Sequence, residues 1–297
     1  MNKNLFYILM IFAMIFWGAS WISTKVLTNY VNEYELVFLR MGICFITMFP
    51  IIYFYKLSFK LDIKSFFLIL IASIILTAYS ISMFIGLKHG SGGFGGALVT
   101  TLIPINTFIL VAVLNRKTIS LKHSFALILG AFGVLNMLNI WNFDLSEIFS
   151  KDTLYFLLAS VLWSILTIIT AKATKINAFV FTFYTYIISS FVLFVFFVDA
   201  SIFQKVVNLD FIFWFNLFVI TILSTTFATS IYFIGASKLG AKEVSSFIFL
   251  VPTTALIIGA IFLDEKITSN TIIGTIFTII AIYILNNLNL FKLFNKS

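Results

Sequence analysis

The chain has 297 residues, of which 61% are hydrophobic and only 10% charged, with a mean hydropathy of +1.11. An ordinary soluble domain, in which roughly a quarter of residues are charged, is excluded, and the solvent for this protein is lipid. The net charge of +8 is spread through the loops and forms no patch, so nucleic acid is not expected as a partner.

Apolar stretches of about 20 residues, each long enough to cross a hydrocarbon core of ~30 Å, occur at 4–26, 34–55, 65–87, 92–114, 121–140, 153–174, 177–198, 210–235, 243–263 and 269–290. Backbone polar groups in lipid must be satisfied within the segment, and runs of this length without period-2 alternation select helices over barrel strands. The expected fold is therefore all α, a polytopic membrane protein with ten transmembrane helices. The first span exceeds a signal-peptide core and has no small-residue cleavage site after it, so it reads as a retained helix. It carries Trp17, Trp21 and Thr24 at i, i+4, i+7, one helical face.

The second span holds Arg40 and the single cysteine, Cys44, which excludes disulfides and cysteine-rich metal sites within the chain. Arg40 lies about 6 residues inside, roughly 9 Å deep at 1.5 Å per residue. Its charge either snorkels back to water or to Glu33 and Glu35, or serves a substrate carboxylate or a gate. The third span contributes Tyr79 and Met83. The run Gly90-Ser91-Gly92-Gly93-Phe94-Gly95 has the spacing of a dinucleotide fingerprint, but it joins two membrane helices and lacks the preceding strand that fingerprint needs. It reads as a tight turn with close helix contact, Gly92 and Gly96 being in GxxxG register.

Pro104 in the fourth span frees the carbonyl of Thr100, and Pro252 in the ninth frees that of Ile248, because a mid-helix proline supplies no N–H. The sixth span repeats the first with Trp163, Thr167 and Thr170. Thr225, Thr229 and Tyr232 form a stripe in the eighth, and Ser245, Phe249 and Pro252 another in the ninth. Together these residues would make an aromatic, weakly polar cavity suited to an amphipathic ligand. Any single stripe of this kind is more often helix packing, where small and hydroxyl residues hold neighbours together.

The chain contains its own second half. An offset of 148 aligns Leu102, Pro104, Ile109 and Ala112 with Leu250, Pro252, Ile257 and Ala260, and an offset of 146 aligns Ala13, Trp17 and Thr24 with Ala159, Trp163 and Thr170. The expected organisation is a first five-helix repeat over 1–141, a junction loop over 142–152 with Asp144, Glu147 and Asp152, and a second repeat over 153–297. Five spans are an odd number, so the repeats are inverted, as in many secondary transporters. With both termini inside, thirteen basic residues and two acids face inward against five and nine outward, which obeys the positive-inside rule. The turn after the first Pro helix carries Arg116 and Lys117, its counterpart Asp264 and Glu265.

No Asp or Glu lies deep inside a span, Glu35, Asp210 and Glu243 falling at span ends, and His89 and His123 sit at helix ends, so the convergent acids, bases or metal ligands of an enzyme are lacking. No catalysis, metal or cofactor is expected, and no proton coupling through a buried carboxylate. The sequence reads as a facilitator or exporter driven by the substrate gradient. A scaffold or sensor would need a soluble domain, and the longest loop is about a dozen residues.

The inverted repeats, Phe16-Trp17-Gly18-Ala19-Ser20, Arg40, Pro104 and Pro252 together make the chain resemble the EamA type of the drug/metabolite transporter superfamily over essentially its whole length. The resemblance implies alternating access around a cavity lined by the third, fourth, eighth and ninth helices, with the first and sixth as gates, and export of small metabolites, amino acids among them, or toxic compounds. Asn115-Arg116-Lys117 departs from the acidic residue that often closes the fourth helix in that family. The expected partners are a small solute and the bilayer of a bacterial inner membrane. One chain suffices for a complete pore. An amino acid would meet Arg40 with its carboxylate and Thr100 with its amine, while a cationic drug exporter is the alternative, using the aromatics for cation–π contact.

Overall fold

The computed structural model describes residues 3–89, 92–142, 151–262 and 267–287, and every regular element among them is helical. The junction residues 143–150, Gly90 and Ser91, and Asp264, Glu265 and Lys266 lie outside the described residues. Ten helices cross the bundle: α1 (Lys3–Leu27), α2 (Glu33–Phe54), α3 (Ile63–His89), α4 (Gly92–Leu114), α5 (Leu121–Met137), α6 (Lys151–Lys172), α7 (Ala178–Phe196), α8 (Phe211–Leu239), α9 (Ala241–Ile261) and α10 (Ser269–Leu285). Eight are long and apolar enough to span a membrane, while α5 and α10 are apolar but only 17 residues long. A short helix, Ile202–Val207, precedes α8.

Polar residues at the turns set where the helices begin. Asn32 and Glu35 form a reciprocal capping box at α2, and Ser120, Asn177, Asp210 and Thr268 accept first-turn amides at α5, α7, α8 and α10. Asp62 does the same for α3, accepting from the Ser65 amide at 3.3 Å, and hydrogen bonding from Ser65 holds its carboxyl below the usual range. Between α8 and α9 the backbone of Gly240 takes φ +93°, a left-handed conformation costly for any residue with a Cβ. That one residue lets two spans meet in a turn without a loop.

Both ends of the bundle are tied. At the end holding the chain termini, the Tyr7 hydroxyl donates to Glu243, Lys122 Nζ to Asn287 at 2.6 Å, and Asn286 bonds Ser246 at 2.8 Å. At the far end Lys88 pairs with Glu33 at 2.8 Å, Lys205 with Glu35 at 2.9 Å, and Lys25 Nζ donates to the Leu87 carbonyl at 2.7 Å. Ile74, Ile128 and Phe191 are each more than half exposed on the outside, where lipid would cover them.

The main helix contacts come in matched sets. α1 packs on α8 and α9, and α6 packs on α3 and α4; α2 pairs with α7, and α5 with α10. Under the two sequence offsets these contacts exchange with one another, down to single bonds. Thr254 Oγ1 donates to the Met14 carbonyl at 2.9 Å, and Asn106 Nδ2 donates to Ser160 Oγ at 3.0 Å. Asn106 is 148 positions before Thr254, and Met14 is 146 before Ser160. Glycines allow the close approaches, as expected for Gly95 and Gly96: a Cβ on Gly96 would come within 3.1 Å of the Trp21 ring, and one on Gly95 would enter the Phe156 ring.

Candidate functional site

Helices α1, α2, α3, α4, α6, α8 and α9 all send residues to one internal cavity between the middle of the bundle and its far end. Trp17, Trp21, Arg40, Tyr79, Met83, Thr100 and Trp163 line it, together with Ser20, Thr24, Val99, Ile103, Ser224, Ile248 and Val251. The cavity volume is about 30 Å³, room for roughly two waters where one needs ~10–15 Å³. The sequence suggests a cavity suited to an amphipathic ligand. The structure instead holds the site nearly closed, with aromatic rings filling its centre.

Arg40 is the charge of this cavity, and it is 7% exposed. It does not snorkel: Glu33 and Glu35 are engaged by Lys88 and Lys205, and Arg40 turns inward. Its Nε donates to Thr225 Oγ1 at 2.7 Å, and its Cζ stands 5.9 Å from the Phe84 ring centroid. Among the described residues no carboxylate pairs with it and its terminal nitrogens have no hydrogen-bond partner. A buried guanidinium in that state is a ready partner for an incoming anion.

Thr225 belongs to a π-helical stretch of α8, Val219–Thr229. Its hydroxyl bonds the Ile220 carbonyl at 2.6 Å, and that of Thr229 bonds the Ser224 carbonyl at 3.1 Å, both reaching back five residues. π-turns of this kind recur at functional sites. Here the stretch presents Thr225 to Arg40 and the Ser224 carbonyl to the Trp17 indole N–H at 3.1 Å.

The aromatic part is a contiguous cluster. Trp163 stands 5.3 Å from Trp17, 4.6 Å from Tyr79 and 5.8 Å from Tyr232, centroid to centroid. The Tyr79 hydroxyl meets Met83 Sδ at 3.2 Å. Ser224 Oγ, a buried polar atom on a cavity-lining residue, has no hydrogen-bond partner among the described residues, and Trp163 Nε1, beside the Tyr232 hydroxyl, makes no hydrogen bond of normal geometry. Unpaired buried groups are rare enough to need a cause, and a bound solute or water would supply it.

The other residues singled out in the sequence lie elsewhere. Tyr232 and Thr167 sit behind the tryptophans on the terminus side, bonded to each other at 2.9 Å. Pro104 and Pro252 do not line the cavity, but Thr100 and Ile248, four residues before them, both do, the Ile248 carbonyl accepting from the Leu250 N–H. Ser245 bonds the Lys242 carbonyl at 3.1 Å, and Phe249 packs on Phe108, Leu127 and Gly130 of α4 and α5. A 3₁₀ turn at Phe247–Phe249 accounts for this: at ~120° per residue instead of ~100°, three residues rotate the stripe by about 60°. Ile248 and Val251 take the lining positions instead. The sequence reasoning missed Ser20, Val99, Ser224, Ile103 and Val251; the last two are related by the 148 offset, which was the signal that could have found them.

Comparison with known proteins agrees with this architecture. The chain is 27% identical over 218 residues to an uncharacterized transporter of Synechocystis sp., covering 68% of this chain and 65% of that protein. It is 27% identical over 281 residues to the uncharacterized transporter YoaV of Bacillus subtilis, covering 91% and 92%. A crystal structure at 15% identity superposes with a TM-score of 0.74 over 95% of this chain and 96% of that one, a likeness of fold. The EamA-like transporter family matches residues 4–139 and again residues 151–287. The chain, a multi-pass membrane protein, belongs to the EamA-like transporter family.

Proposed function

We propose that this transporter moves a small amphipathic solute carrying a carboxylate, an amino acid or close analogue, outward across a bacterial inner membrane with both chain termini inside. In this reading residues 1–141 and 153–297 are inverted repeats that rock about the cavity. The observation that carries the reading is the cavity's chemistry: one guanidinium with no carboxylate partner among the described residues, Thr100 one turn before Pro104, and an aromatic wall of Trp17, Trp163 and Tyr79.

A carboxylate would take the terminal nitrogens of Arg40 in a charge-assisted bond. An ammonium would donate to the Thr100 carbonyl, which lacks the N–H of Pro104, and the apolar body would lie against the rings. A cavity of about 30 Å³ cannot hold an amino acid unchanged, so binding requires the Trp17, Trp163 and Tyr232 rings to part. Those rings stand between the cavity and the terminus end, so parting them opens the inward path.

A second reading, export of a lipophilic cation, draws on the same rings, but Arg40 would oppose it. Efflux from proteoliposomes loaded with radiolabelled amino acids, or with a lipophilic cation, separates the two. The amino-acid reading expects carboxylate efflux that falls at least tenfold in Arg40→Gln. Cation efflux that rises in Arg40→Gln, with no carboxylate flux in the wild type, would replace it.

A further inference from the structure

A second cavity, about 430 Å³, lies at the terminus end of the bundle, away from the site above. The last turns of α4, α6 and α10 enclose it with the start of α5 and the α8–α9 turn at Gly240. Its lining divides by chemistry. Lys172 of α6 and Lys242 of α9 bring two ammonium groups, with His123 of α5 beside them, while Phe108, Val111 and Leu114 of α4 form an apolar wall.

Neither lysine has an ion-pair partner among the described residues. Lys242 Nζ instead rests 5.0 Å from the Phe108 ring centroid, an arrangement of modest strength that a true counter-ion would displace. Glu243 is the acid of the lining, and the Tyr7 hydroxyl already bonds it. Leu114, the last residue of α4, is 57% exposed, so the cavity opens to the surface of the bundle there, at the end of a span where lipid headgroups would lie.

Two unpaired ammonium groups above an apolar wall that reaches the lipid are complementary to an anionic head on a hydrocarbon body. A small hydrophilic anion would gain nothing from Phe108, Val111 and Leu114, whereas a phospholipid uses both halves of the lining. We propose that this cavity seats the phosphate headgroup of an anionic phospholipid, with Lys172 and Lys242 on the phosphate and the glycerol and upper chain against α4. The site shares no lining residue with the central cavity, and its occupancy would brace α4, α6 and α9.

The test uses the full chain, purified and delipidated, titrated with phosphatidylglycerol, phosphatidylcholine or inorganic phosphate, reading bound lipid by native mass spectrometry and the thermal midpoint by tryptophan fluorescence. Phosphatidylglycerol is expected to bind in a defined stoichiometry and raise the midpoint, with phosphatidylcholine and millimolar phosphate doing neither. Lys172→Gln and Lys242→Gln should each weaken binding about 5-fold and together about 30-fold, at roughly 1 kcal/mol per basic residue. Lys172→Arg and the remote Lys64→Gln should leave it unchanged. If the double variant does not fold, the single variants and a salt titration of the wild type, expected to weaken binding, decide the matter. Binding that ignores both lysines and salt overturns the proposal, and equal protection by inorganic phosphate overturns it in favour of a free-anion site.

Discussion

Trp17 and Trp163, 146 positions apart and equivalent in the two halves, meet edge to face with ring centroids 5.3 Å apart. The pairing is symmetric in sequence but not in hydrogen bonding. Trp17 Nε1 donates to the Ser224 carbonyl at 3.1 Å, whereas Trp163 Nε1, beside the Tyr232 hydroxyl, makes no hydrogen bond of normal geometry among the described residues. Replacing each by Phe removes the same ring volume, so the difference between the variants isolates the N–H. Trp17→Phe should cost about 0.5–1.5 kcal/mol more stability than Trp163→Phe, toward the low end because Thr229 also bonds that carbonyl. Urea unfolding in mixed micelles measures this. If Trp163 serves the solute, its variant should instead weaken solute binding while stability holds.

Arg40 and Thr225 offer a second measurement. Their bond at 2.7 Å joins α2 to the π-stretch of α8 and involves a buried charge, the class of hydrogen bond worth about 1.5–3 kcal/mol. Thr225→Val keeps the shape and removes the acceptor. It should destabilise in an Arg40 background and do little beside Arg40→Met, with a coupling of about 0.5–3 kcal/mol in the double-mutant cycle. Additive effects would mean that Arg40 gains nothing from Thr225.

How far the sequence reached follows from which periodicities it could follow. Ten spans, the tryptophan pair and Arg40 were legible because lipid imposes length and apolarity and because an intramembrane charge stands out. The ideal 3.6-residue helix that carried the reasoning fails in α8 and α9. In α9 the 3₁₀ turn at Phe247–Phe249 rotates Ser245 and Phe249 out of the cavity. In α8 the π-stretch turns Ser224 and Thr225 toward Trp17 and Arg40, although the run Thr221, Ser224, Thr225, Thr226 and Thr229 hinted that side-chain hydroxyls compete with the backbone ladder there. The near closure of the cavity was not legible, because the packing of rings from α1, α3, α6 and α8 is a property of three dimensions.

The prolines make a third case, and the structure separates them. α4 stays α-helical through Pro104, whereas α9 passes through 3₁₀ geometry just before Pro252. Alanine at either position restores an N–H that can bond the carbonyl four residues back, at Thr100 or Ile248. Pro104→Ala should leave the backbone in place and weaken solute binding by one hydrogen bond, about 0.5–1.5 kcal/mol or 2- to 10-fold. Pro252→Ala should also move Ile248 as the turn regularises, so its effect on flux should be larger. Equal binding by Pro104→Ala and the wild type would remove the Thr100 carbonyl from the site.

The α5–α10 pair should be separable from transport. A Cβ on Gly133 would lie 2.8 Å from the Gly274 carbonyl and 3.0 Å from Phe277 Cβ, and one on Gly274 would collide with the Gly133 carbonyl. The backbones touch directly, the small-residue packing that holds helices together in lipid. Neither helix sends a residue to the central cavity. Gly274→Val adds three carbons where none fit, so it should cost about 1–3 kcal/mol as overpacking, seen as a lower thermal midpoint. Flux per folded molecule should stay near the wild-type value. A variant that keeps its midpoint but loses flux would show instead that α5 and α10 move during the cycle and are not the fixed post against which the other helices turn.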